Sequence, residues 1–181
     1  MLIIFFKIKT PLSFYEIGCG AGLSLKILHD DMDHVVGGSD YSKNSIMKAN
    51  DWMISDDIRY LEAINVPIYP KYDYVVAFSV FHYFKDFEYL EKILDIMLKK
   101  SNKGIGIFDV CDEEKKDIYV ETRKASDPDY EKRYVGLDHL FIHKNFWNDF
   151  AKKNNLQLII EDQHIDKYKN SKLRYNVYLI K

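Results

Sequence analysis

Apolar residues recur along the chain in two rhythms, short unbroken runs and stripes at helical spacing, and their alternation predicts strands and helices in turn. The first run, Ser13 to Ile17, ends in Gly18-Cys19-Gly20-Ala21-Gly22, after which Leu23, Leu25, Ile27 and Leu28 begin a helix that stops near Asp30-Asp31. A second strand, His34 to Ser39, ends at Asp40, and Ser42 is placed to cap a helix carrying Ile46, Met47 and Ala49. Ile58 to Ala63 reads as a third strand, although its charges also fit a helix end. Tyr74 to Phe78 is apolar throughout, as expected of a strand buried on both faces. Phe87, Leu90, Ile93, Leu94, Met97 and Leu98 form one helical stripe, closed by Lys99, Lys100, Lys103 and Gly104. Ile105 to Val110 predicts a fifth strand and Lys144 to Lys153 a helix. Leu156 to Ile160 and Tyr175 to Ile180 predict an antiparallel hairpin at one sheet edge. Strands alternating with helices predict an α/β domain, a mostly parallel sheet with helices on both faces.

The stretch from Cys111 to His143 (111–143) breaks this rhythm, being charged, tyrosine-rich and longer than compact domains usually tolerate between elements. It reads either as a surface insertion with some helix of its own or as a segment covering a substrate. With 181 residues the chain (1–181) reads as a single domain, and 47% hydrophobic with 15% aromatic residues excludes wholesale disorder. Net charge changes the picture more. Lys plus Arg at 26 against Asp plus Glu at 28 provides no positive field for nucleic acid or anionic lipid. Cys19 and Cys111 are too few for a disulfide framework and lack zinc spacing, and the apolar run Leu2 to Phe6 is far too short to span a membrane. The expectation is a cytoplasmic protein with no membrane association and no metal.

A glycine loop between a buried strand and a helix lets backbone approach a ligand, with free N–H groups aimed at negative charge. Glycines at 18, 20 and 22 give GxGxG rather than the dinucleotide pattern GxGxxG, because position 23 is Leu23. Asp40 follows the second strand at about the distance where a carboxylate meets ribose hydroxyls. A ribose-containing ligand without a pyrophosphate fits both observations.

FYEIGCGAG at 14–22 followed by GGSDYS at 37–42 resembles motifs I and II of the class I S-adenosylmethionine-dependent methyltransferases. LEAINVP at 61–67, YDYVVAFSVFHYF at 72–84 and GIGIFDV at 104–110 continue the resemblance in order, with Glu62 where Asp is more frequent. The resemblance implies a Rossmann-like seven-stranded sheet in the order 3-2-1-4-5-7-6, the last strand antiparallel. It also implies S-adenosylmethionine as cofactor and S-adenosylhomocysteine as product. Glu16 would hold the glycine loop and the cofactor's ammonium region, with Gly18, Cys19, Gly20 and Gly22 against the methionine part. Asp40 would bind both ribose hydroxyls, Tyr41 would lie along the adenine with Glu62 and Ala63, and Phe78 and Ser79 would stand near the sulfonium.

Methyl transfer asks mainly for alignment and exclusion of water, and a base matters only where the acceptor must lose a proton. His82 and His139 are the candidate catalytic groups, and Tyr83, Arg123, Tyr134 and His143 the candidate substrate contacts. The place where amino-methylating enzymes carry a Pro-Pro-aromatic motif reads Phe78-Ser79-Val80-Phe81. That, with the balanced charge, favours a small-molecule acceptor over nucleic acid. Lys115, Lys116, Arg123, Lys124 and Arg133 stud the 111–143 stretch and suggest an anionic one, though acidic residues there balance them. About a dozen residues precede Phe14, so the resemblance implies a shortened N-terminus and an open site, with Leu2 to Phe6 packing on the sheet or on a second subunit. Two readings compete with methyl transfer. One is a catalytically weak or inactive cofactor-binding partner subunit of another methyltransferase. The other is a nicotinamide-dependent oxidoreductase, motivated by the glycine loop and Asp40 alone.

Overall fold

The computed structural model describes residues 11–127, 129, 132, 135 and 139–181. Seven strands form one sheet in the order 3-2-1-4-5-7-6. Parallel to one another run β1 (Ser13–Ile17), β2 (Val35–Asp40), β3 (Ile58–Tyr60), β4 (Tyr72–Phe78) and β5 (Ser101–Cys111). β7 (Arg174–Ile180) lies antiparallel between β5 and β6 (Gln157–Asp162). This is the Rossmann-like order that the sequence resemblance implies, with only β7 reversed.

The helices are α1 (Leu23–Asp30), α2 (Lys43–Asn50), α3 (Phe87–Lys100), α4 (Lys116–Ser126) and α5 (Lys144–Asn154). Side chains alternate across a strand, so β1 divides its residues between two cores. Tyr15 and Ile17 meet Leu90, Ile93, Leu94 and Met97 of α3 and Trp147 and Phe150 of α5. Phe14, on the opposite face, belongs with Leu25 and Leu28 of α1 and Ile46 and Ala49 of α2. Caps set the helix starts: the Ser42 hydroxyl accepts from the Ser45 N–H (3.3 Å) and the Asp86 carboxylate from Tyr89 N–H (2.7 Å).

Two elements differ from expectation. β3 stops at Tyr60, because the chain turns into a 3-10 turn at Ala63–Asn65 instead of continuing the ladder. β5 begins four residues early, directly after α3, so Lys100 belongs to the helix end and Lys103 and Gly104 to the strand. Lys100 is fully buried: its ammonium lies 4.1 Å from the Tyr15 ring centroid and donates to the carbonyls of Pro67 (3.1 Å) and Pro70 (2.9 Å). Within 111–143 the described residues include α4. Arg133, Tyr134 and the N-terminal segment Met1 to Thr10 lie outside the described residues.

Candidate functional site

The parallel register brings the carboxyl ends of β1, β2 and β4 to one edge, Ile17 pairing with Ser39 and Glu16 with Val76. There the chain leaves β1 through Gly18 (φ 76°), Gly20 (φ 53°) and Gly22 (φ 76°), three left-handed residues in alternation. A side chain at Gly18 would be both strained and blocked, its Cβ falling 2.4 Å from a methyl of Val80. The end of β2 pins the loop: Gly18 and Cys19 N–H donate to the Ser39 carbonyl (2.7 and 3.0 Å), and Gly20 N–H to Asp40 Oδ2 (2.9 Å). Asp40 Oδ1 accepts from Ser42 N–H (2.7 Å). A carboxylate has about four acceptor positions, so Asp40 keeps capacity for two more donors while its orientation is already fixed.

Glu16 is buried behind the loop and accepts from the Ser24 hydroxyl. Burial pushes its carboxyl up to about 7, the Ser24 hydrogen bond opposing this and the Asp40 charge adding to it. Burial likewise raises the Cys19 thiol, so Cys19 is packing rather than a nucleophile. In front of the loop opens a cavity of about 570 Å³, within the range of small-molecule and cofactor sites. Gly18, Asp40, Tyr41, Glu62, Ala63, Phe78, Ser79 and Tyr83 line it, so these residues from four strand ends share one space. Leu61, Val80, Lys85 and Tyr89 also line it and were not singled out from sequence.

Residues 15–101 match the family model described as a methyltransferase domain, and the sheet order is that of the class I fold. Over residues 15–101 the chain resembles a methyltransferase domain. No curated protein sequence matches it. Among solved structures it is similar to the plantazolicin methyltransferase BpumL in complex with a triazolic desmethylPZN analog and SAH. That match has 20% identity, covers 98% of this chain and 79% of that one, and has a TM-score of 0.71. Magnesium protoporphyrin IX methyltransferase (ChlM) from Synechocystis PCC 6803, with bound SAM, is 12% identical (99% and 74% covered, TM-score 0.68). A SAM dependent methyltransferase from Archaeoglobus fulgidus is 16% identical (99% and 90% covered, TM-score 0.67). At these identities the likeness is one of fold.

Beside the cavity, the fold gathers a second group of side chains. The His82 carbonyl accepts from Leu140 N–H (2.9 Å), which brings the chain after α4 against the end of β4. His82 is buried, its ring 4.1 Å from that of the exposed Tyr83 and 4.7 Å from that of His139. The His139 Nδ1 and the Tyr119 hydroxyl are 2.9 Å apart, and Arg123 donates to that hydroxyl through two nitrogens (3.1 and 2.8 Å). Arg174, on β7, reaches the same point, its Nη1 3.4 Å from His82 Nδ1. A guanidinium only donates, so Nδ1 is the acceptor and the proton sits on Nε2. Burial, reinforced by the positive fields of Arg174, His139 and Arg123, drives His82 down to about 3 and keeps it neutral at physiological pH.

His82, His139, Tyr83 and Arg123 therefore come together, while His143 sits apart as the N-cap of α5. Its Nδ1 accepts from Asn145 N–H (3.1 Å) and its Nε2 faces Glu114 (3.3 Å). Two buried charges escaped sequence reading, Asp109 on β5 and Arg174 on β7. Their signal was a charged residue inside an otherwise apolar strand. Among the described residues no cluster of His, Cys, Asp and Glu is placed to hold a metal ion, and no helix is long and apolar enough to cross a membrane.

Proposed function

We propose that this chain transfers a methyl group from S-adenosylmethionine to an oxygen or nitrogen of a small, anionic metabolite. The observation that carries the reading is the Asp40 carboxylate, oriented by Gly20 and Ser42 N–H and facing the cavity with two acceptor positions left, matched to a pair of ribose hydroxyls. The residues present fit the cofactor: a left-handed glycine loop whose Gly18 has no room for a side chain, the buried Glu16 behind it for an ammonium group, and Tyr41, Glu62 and Ala63 at the far end for a purine.

The sulfonium supplies a methyl group already activated for attack, so the protein needs to bind, align and exclude water. Phe78, Ser79 and Tyr83 form the wall past which an acceptor would approach. With His82 held neutral and both of its hydrogen-bonding roles set by Arg174, it orients that wall; His139, with its Nδ1 beside the Tyr119 hydroxyl, is the group placed to take a proton. Arg123 and Arg174 lie 5.2 and 5.4 Å from the Tyr119 ring centroid, and this pair of guanidiniums supports an anionic acceptor. Two solved structures of like fold are methyltransferases named for a particular molecule, plantazolicin and magnesium protoporphyrin IX, which supports a discrete small acceptor.

The test is a thermal-shift and calorimetric titration with S-adenosylmethionine, S-adenosylhomocysteine and NAD on wild type and Asp40→Ala. Ligand at 100 times its Kd contributes about 2.7 kcal/mol, a rise in Tm of roughly 5 to 11 °C for a chain of this size. The expected result is a rise with the two sulfur ligands only, lost in Asp40→Ala. A rise with NAD alone would overturn the reading. Binding without transfer in a broad acceptor screen, with co-purification of a larger chain, would instead establish a partner subunit.

A further inference from the structure

Two left-handed residues that are not glycine stand side by side on the central neighbours: Ser79 (φ 59°), directly after β4, and Asp109 (φ 62°), near the carboxyl end of β5. Such conformations persist only where surrounding structure holds them, and they gather at functional sites. Here the two residues hold each other: Ser79 N–H donates to the Phe108 carbonyl (3.0 Å) and the Ser79 hydroxyl to Asp109 Oδ2 (2.8 Å). The β5–β7 register shifts at this point, and the freed Asp109 N–H is taken by Asn176 Oδ1 (3.1 Å).

The Asp109 carboxylate is buried and has two further donors, both from the connection between β6 and β7. Gln163 Nε2 donates to Oδ1 (2.9 Å) and the Tyr168 hydroxyl to Oδ2 (3.2 Å), the oxygen that also serves Ser79. Ser171 closes the connection on itself, accepting from Ile165 N–H (2.7 Å) and donating to the Gln163 carbonyl (3.0 Å). One carboxylate thus joins a wall of the cofactor cavity to the segment 163–173. We propose that Asp109 is a positioning residue that couples occupation of the cofactor cavity to ordering of 163–173, so that this segment closes as a wall of the acceptor side once the cofactor is seated. The proposal rests on the cofactor reading above. Coupling requires two states in which the ligand's contacts differ; a ligand packed on Phe78 to Val80 fixes Ser79, hence the Asp109 carboxylate, hence Tyr168 and Gln163.

The experiment is amide hydrogen exchange on the full chain with and without saturating S-adenosylhomocysteine, in wild type, Gln163→Leu/Tyr168→Phe, Asp109→Asn and Asp109→Ala. In wild type the ligand is expected to slow exchange at least roughly threefold in 163–173 as well as in 16–22. The double variant should keep the protection of 16–22 and lose that of 163–173. Asp109→Asn should retain the coupling, since its amide still accepts from Ser79 and can donate to Gln163 Oε1, which has no partner, whereas Asp109→Ala should lose it. A purely electrostatic role opposite Arg174 would make Asn and Ala alike and would overturn the proposal. So would wild-type protection confined to 16–22, or full protection of 163–173 in the double variant. No protection at 16–22 in wild type would overturn the cofactor reading itself, and this proposal with it.

Discussion

Replacing Glu16 with Gln should stabilise the ligand-free protein while weakening its hold on the cofactor. A carboxyl raised from its ordinary 4.5 to about 7 by burial binds more protons folded than unfolded, so its contribution to stability falls as pH rises between those values. The penalty is about 1 kcal/mol at pH 5 and about 3 kcal/mol at pH 8. Gln keeps an oxygen for the Ser24 hydroxyl and removes the charge that burial penalises. Thermal unfolding of wild type and Glu16→Gln from pH 5 to 8 measures the difference, which should grow from roughly 2 to 4 °C to roughly 6 to 12 °C in Tm. Because Glu16 lies behind a site read as holding an ammonium group, calorimetry should show the same variant binding S-adenosylmethionine more weakly. A pH-independent gain in Tm, or a loss at pH 8, would refute the assignment of the perturbed carboxyl to Glu16.

His82, held near 3, lowers stability as pH falls below its ordinary 6.5, opposite in sign to Glu16, so wild-type Tm alone does not separate them. NMR should therefore find its ring shifts flat from pH 5 to 8, and a midpoint near 6.5 would sink the neutral assignment. Gly18→Ala forces a side chain into a left-handed residue against Val80 and should cost about 2 to 4 kcal/mol in urea unfolding; a loss below about 1 kcal/mol would contradict the geometry. Tyr175→Phe removes the hydroxyl that accepts from Trp147 Nε1 (2.7 Å) and donates to the Ile142 carbonyl (2.7 Å), both buried. Two groups left unpaired should cost about 2 to 4 kcal/mol, and unchanged stability would show that neither bond matters.

The geometry of the glycine loop was legible because its determinants are local. The glycine loop, Asp40 and the Ser42 cap follow one another within a strand-turn-helix repeat, where residue type and spacing alone specify the geometry. Where partners are remote, sequence says less: Lys100 read as one of the residues that close a helix, and nothing in the sequence showed that it is fully buried between Tyr15 and the carbonyls of Pro67 and Pro70. Gly37 read as part of a strand without any reason for a glycine, and the reason is the Tyr72 hydroxyl, which an added Cβ would approach to 2.3 Å. His143 carried the same signal as His139, and only the entry angle of α5 makes one a cap and the other a neighbour of His82.

The proposed acceptor side obeys a different rule. Its residues, Ser79, His82, Asp109, Tyr119, His139, Tyr168 and Arg174, come from β5, β7, α4 and three connections, so no single motif holds them. What assembles them is the reversal of β7, which sends Arg174 and Asn176 back along β5 to the point where its ladder skips. That skip turns Asp109 left-handed and aims its carboxylate at Ser79 instead of leaving its backbone paired in the sheet. A buried cation and a buried carboxylate at such a break are costly unless fully bonded. Asp109 meets that condition with three side-chain donors, while Arg174 Nε has no hydrogen-bond partner and lies 4.0 Å from Asp109 Oδ1. The unmet hydrogen-bonding capacity on the acceptor side therefore lies at Arg174 and at Gln163 Oε1, which flank the carboxylate that joins the cavity wall to 163–173. Substitutions at those two residues should accordingly move acceptor affinity before they move cofactor affinity, and the reverse order would place the coupling elsewhere.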